Sequence, residues 1–136
     1  MTTTPDTTGT LRPVEHTAAA AEAVRALNHA TLNPDTRSGG YVWPSDVDVV
    51  IGALEQLAQR LPQALTQAGC WLEREQTAGR VGHDGPGTDV AATVGWLLGD
   101  LEAAVREAAD LAATLTFARA ASTHLTGTAP VQAGEQ

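Results

Sequence analysis

The chain has 136 residues, a formal net charge of −8 and no lysine, and its eight cations are arginines scattered along the sequence. Nucleic-acid phosphates call for clustered cations, so that class of partner is excluded. No apolar run reaches the ~20 residues a membrane helix requires.

The hydrophobic share is 43%, and much of it is alanine. A core built from such thin side chains suits closely packed helices. At about 25 cal/mol per Å² it buries little energy per residue, so modest stability, or help from a partner, is expected. Alanine, glycine, threonine and arginine belong to GC-rich codons, which points to a GC-rich bacterial genome. The opening "MTTTPDTTGTLRP" has no positive or apolar segment of the signal-peptide kind, and a cytoplasmic protein is expected. Residues 1–12 and 127–136 show no periodicity and read as disordered tails, leaving residues 13–126 as one helical bundle domain. Cys70 stands alone, so no intramolecular disulfide is possible, and a buried structural thiol is expected.

The first helix is predicted from Pro13 to about Leu32. Proline suits its first turn, and Val14, Ala18, Ala21, Val24 and Leu27 share one face. Asn33-Pro34 ends it, because the residue before proline avoids the α region. A turn-rich loop, "DTRSGGYVWP", follows. Its Tyr41 and Trp43 are expected to lid the core at the start of the second helix, where Phe117 and Leu125 also arrive. Ser45 is the expected N-cap, with Asp48 in the reciprocal position.

The second helix carries Val47, Ile51, Leu54, Ala58, Leu61, Leu65, Ala68 and Leu72. The third starts near Thr88 and carries Val90, Val94, Leu97, Leu101, Ala104, Ala108, Leu111, Leu115 and Ala118. Both stripes repeat in alternating steps of four and three, and "GHDGPG" joins them. Two heptad seams of similar length across a glycine-rich turn predict an antiparallel hairpin. At 1.5 Å per residue it is about 50–55 Å long. Pro62 either bends the second helix or splits it in two. The class is therefore all-α: a long antiparallel helical hairpin plus one shorter N-terminal helix, forming a three-helix bundle. The first helix, about 30 Å long, covers only the open end, so residues 63–104 have no third helix from their own chain.

Folding the hairpin at Asp84 brings Trp71 and Trp96 to one level, with Gly69, Gly95 and Gly99 in the same layer. These five residues are the expected interface. Helical glycine costs about 1 kcal/mol relative to alanine, which points to close helix approach or to indoles lying over bare backbone. An aromatic patch on a two-helix segment suits a protein partner, and a second copy would complete a four-helix bundle. The alternatives are that the two indoles pack on each other or on the N-terminal tail, or that a different protein binds.

Only one place could hold a transition metal: His29 and His124 near Asp46 and Asp48. No H-x-x-x-H, E-x-x-H or C-x-x-C pattern accompanies them, and capping accounts for the aspartates, so no metal and no cofactor is assigned. "GHDGPG" lacks the ending of a phosphate loop and no strand precedes it. No catalytic residue is identified, and an enzyme is not expected.

The stretches "YVWPSDVDVVIGALEQLAQRLPQAL" and "GWLLGDLEAAVREAADLAATL" resemble small helical proteins of unassigned function from actinomycete (Streptomyces-like) genomes, including ones on mobile elements. The resemblance spans about residues 13–126, carries no catalytic motif and implies habitat. The hairpin is also similar to short secreted WXG-type hairpins. Their Trp-x-Gly lies in the turn, however, whereas here Trp96-Leu97-Leu98-Gly99 falls inside a helix. The expected function is a non-enzymatic protein-protein interaction module, a homodimeric regulator or assembly factor. A small metal- or ligand-binding protein and an acidic, DNA-mimic-like inhibitor are the alternatives.

Overall fold

The computed structural model describes residues 9–32 and 40–128. It contains three helices, α1 (Pro13–Ala30), α2 (Pro44–Thr77) and α3 (Val90–Ser122). The all-α class and the helix count match the expectation, and the described residues include no strand. Residues 1–8 and 129–136, which make up most of the expected tails, lie outside the described residues, as does Asn33-Pro34. The chain divides between Val42 and Trp43 into two compact units.

The first unit carries α1. Pro13 occupies its first turn, where a missing N–H is harmless. The Arg12 amide donates to the Glu15 carboxylate at 2.6 Å, and Arg25 donates two hydrogen bonds to Glu22. The helix stops at Ala30, where the Thr31 N–H donates to Leu27 O. No residue of α1 is buried.

The second unit is the antiparallel hairpin. Helix α2 begins one step earlier than expected. Its N-cap is Trp43 rather than Ser45, because Pro44 supplies a pre-set first turn. The Asp46 carboxylate, not that of Asp48, accepts the cap N–H, at 2.9 Å. The helix then runs unbroken through Pro62, so one of the two readings of that proline falls away. Pro62 can donate nothing to the carbonyl of Ala58 four residues back. Gly79 and Gly87 in the turn have φ of +71° and +72°, left-handed values that suit glycine. Asp89 opens α3 by accepting from the Ala92 amide at 3.1 Å.

The contact between α2 and α3 differs from the expected seam. On α2 the residues facing α3 are Asp48, Ile51, Glu55, Ala58, Pro62, Leu65, Gly69 and Leu72, all buried or half-buried. On α3 they are Val94, Leu98, Leu101, Val105, Ala108, Ala112, Leu115 and Ser122, again buried or half-buried. Every second expected position is right. The displacement by one residue is plain toward the turn, where exposed Leu61 and Ala68 give way to Pro62 and Gly69; nearer the open end Val47 and Leu54 stay half-buried beside Asp48 and Glu55. On α3, exposed Leu97 and Leu111 give way to Leu98 and Ala112, while Ala104 and Val105 are both half-buried. Both helices are rotated about their axes relative to the apolar stripe.

Polar partners explain the rotation. Buried Glu55 accepts from Thr116 Oγ1 at 2.6 Å and from Gln59 at 3.3 Å, and Arg119 stands 3.6 Å from its second oxygen. The Arg119 guanidinium lies over Gly52, where a Cβ would stand 3.0 Å from its central carbon. Asp48 accepts from Ser122 Oγ at 2.6 Å and from Thr123 Oγ1 at 3.1 Å. Further toward the turn, Gly69 lets Leu98 and Leu101 approach the α2 backbone. The core between the helices is thin: Ala58, Val94, Ala108 and Ala112 are its buried apolar residues. The buried polar Glu55 and Ser122 complete it.

Two outcomes follow. Thr116→Val takes the short hydrogen bond from buried Glu55 and is expected to cost about 1–2 kcal/mol in urea unfolding. The second concerns acid. The Ser122 hydroxyl foremost, with Thr123 and Arg119 adding to it, holds the Asp48 carboxyl below its ordinary range. Arg80 acts likewise on Glu75, and Arg25 on Glu22. A carboxylate whose pKa falls on folding stabilises above its unfolded value near pH 4 and loses that contribution as pH drops through the folded value. The melting temperature is therefore expected to hold down to about pH 5 and to fall below about pH 4. Asp48→Asn should flatten that fall, as thermal melts monitored by circular dichroism would show.

Candidate functional site

The rotation gives the hairpin two unlike flanks. One, beside Gly52, Gln59, Thr66 and Glu73 of α2 and Glu102, Ala109 and Thr116 of α3, is polar or small. A shallow cavity of about 160 Å³ lies along it, lined by Leu65, Gly69, Cys70, Glu73, Leu98 and Glu102 among others. That is less than the ~300 Å³ of small-molecule pockets. Cys70 is exposed on this flank, which corrects the expectation of a buried thiol: the displacement of the seam onto Gly69 leaves its neighbour outside.

The other flank is apolar. At 100° per residue, the positions just before Asp48, Glu55, Pro62 and Gly69 form a row along α2: Val47, Leu54, Leu61 and Ala68. The matching row on α3 is Val90, Leu97, Ala104, Leu111 and Ala118. The rows run side by side along the hairpin. Val50, Leu57 and Trp71 extend the α2 row outward. Leu61, Leu97 and Leu111 are 38%, 43% and 49% exposed, and Trp71 is 57% exposed. A contiguous apolar strip of this length marks an interaction surface on a water-exposed helix pair.

The expected site residues distribute unevenly around this geometry. Gly69 is buried inside the hairpin's own contact. A Cβ on Gly95 or Gly99 would meet nothing within 4 Å beyond its chain neighbours, so the Trp71 indole does not lie over either glycine, and both glycines belong to the polar side. Trp71 borders the apolar strip. Trp96 does not: its position is about opposite the α2 contact, and it is 73% exposed. Phe117 lies in the same outward-facing column of α3, 78% exposed, rather than joining a core at the open end. The apolar strip replaces the expected aromatic patch as the candidate surface. Its signal was present in the sequence as the very stripe taken for the seam.

The loop aromatics are only partly sheltered. Tyr41, Val42 and Trp43 are all exposed. The Trp43 indole lies against Gly127, where a Cβ would come within 2.6 Å of it. Of the metal candidates, Asp46 caps α2 and Asp48 is held by Ser122 and Thr123. His29 sits in the last turn of α1, and His124 follows α3. Among the described residues no group of three or more His, Cys, Asp or Glu could hold a metal ion. Among them, too, no helix is long and apolar enough to cross a membrane.

Comparison with known proteins adds no family: no family model, curated protein or solved structure matches this chain.

The two open glycines generate a test. Gly95→Ala and Gly99→Ala place a methyl in empty space and remove the backbone-entropy cost of glycine. Each is expected to raise stability by about 0.5–1 kcal/mol in urea unfolding.

Proposed function

We propose that the chain is a non-enzymatic helical interaction module, a regulator or assembly factor that pairs the apolar strip of its hairpin with helices of a protein partner, itself included. One observation carries this reading. The α2–α3 contact consumes the small and polar edge of α2 and leaves Leu57 and Leu61 exposed outside it, beside Leu97 and Leu111, with Leu54 half-buried at its border. Apolar positions spread over the seam and one adjacent column are the pattern of bundle helices with more than one neighbour. A two-helix hairpin satisfies only one of those neighbours. The polar flank offers nothing comparable, since its cavity is small and Gln59 and Thr116 already bond Glu55.

The reading is tested by affinity capture from a GC-rich bacterial lysate with full-length protein as bait. Three baits are compared: wild type, the strip variant Leu61→Glu/Leu111→Glu, and the polar-flank control Gln63→Glu. Partners retained by wild type and control are expected to fall at least tenfold on the strip variant. Equal recovery on all three baits would remove the strip from any role in binding.

A further inference from the structure

The borders of the apolar strip carry charges of opposite sign. Arg60 and Arg74 lie outside the α2 row, and no carboxylate of the described residues stands within 4 Å of either. Asp100 and Glu107 lie outside the α3 row, exposed and equally without an ion pair among the described residues. The two borders face away from each other across the hairpin, so they cannot pair with each other within one chain, although Arg74 already acts on Glu75 of its own helix.

Their levels along the hairpin lie close. Glu55 bonds Thr116, so Arg60, five residues further along α2, lies level with Leu111, about one turn from Glu107. Gly69 lies against Leu98 and Leu101, which puts Arg74 between about one and two turns from the level of Asp100. The strip is also layered: Leu61 is level with Leu111, and Ala68 with Ala104. A surface with a basic border on one side and an acidic border at a similar height on the other is complementary to a copy of itself.

We infer that the strip is covered by a second copy of this chain, related by a two-fold axis parallel to the helices, with α2 of each copy lying against α3 of the other. This rests on the interaction reading above and fixes its partner. The axis direction follows from charge. With the axis parallel to the helices, Arg60 comes within about one turn of the level of Glu107 of the second copy. With the axis perpendicular, α2 meets α2 and α3 meets α3, which sets arginine against arginine and aspartate against aspartate. Opposite charges across an interface select its register and orientation, and like charges reject the alternative. The result is an antiparallel four-helix bundle with a large layer at Leu61 and Leu111 and a small one at Ala68 and Ala104. A strip about 36 Å long, from Val47 to Trp71, and roughly 15 Å wide gives about 540 Å² per copy, just over the ~1,000 Å² total that a specific interface needs. Trp71 then stands at the edge of the interface, within reach of the second copy's α3.

The test is sedimentation velocity on purified full-length protein from about 1 to 100 μM. Wild type is expected at twice the 14.1 kDa chain mass, and Leu61→Glu/Leu111→Glu at the chain mass with its helical circular dichroism intact. Arg60→Glu alone, and Glu107→Arg alone, are each expected to weaken dimerisation about two- to tenfold. Their combination in one chain should return it to within about threefold of wild type. A wild-type monomer at 100 μM overturns the second-copy proposal while leaving capture of other partners by the strip to stand or fall on the lysate experiment. A dimer that dissociates with the strip variant but ignores every charge reversal overturns the axis. Were the strip variant to unfold, the reversal series on wild-type leucines would still decide both points.

Discussion

The hairpin depends on how Glu55 is satisfied. A carboxylate on the inner face of a helix pair must be hydrogen-bonded or its burial is costly. Thr116 and Gln59 supply those bonds, Arg119 brings the opposite charge close, and the bare backbone of Gly52 makes room for its guanidinium. Two turns nearer the open end, Asp48 is held in the same manner by Ser122 and Thr123. These bonds span 61 to 75 residues of sequence, so they set both the register of the two helices and their rotation. A polar pair inside a helical seam is the best-attested device for selecting one alignment among several of similar apolar content.

The rest of the surface follows from that choice. Turning α2 so that its polar and small residues meet α3 moves its leucines aside. The buried apolar core shrinks to three alanines and a valine, and no large side chain is fully enclosed. The apolar area that a leucine seam would have hidden remains in water along one flank. A modest core and a long apolar strip are thus two consequences of one rotation, and together they favour association.

The aromatic residues take outward positions for the same reason. Trp96 and Phe117 occupy the column of α3 furthest from its contact with α2, and Trp71 the edge of the strip. Trp43 is different: it caps the start of α2 and leans on Gly127. The glycines divide similarly. Gly52 and Gly69 permit close approach within the hairpin, whereas Gly95 and Gly99 face open space.

By itself the sequence determined the elements. Pro13 opens the first helix, the heptad spacing continues on either side of Pro62, and the glycine turn before Asp89 reverses the chain. These are local signals, and each lies within a few residues of what it controls. Tertiary structure alone decided which column of each helix became the contact. Two neighbouring columns, one through Leu54 and Leu61 and one through Glu55 and Pro62, obey the same heptad spacing, and apolar content favours the first. The second prevails because Thr116, Arg119, Ser122 and Thr123 await it on α3, and periodicity along one helix carries no record of donors on another.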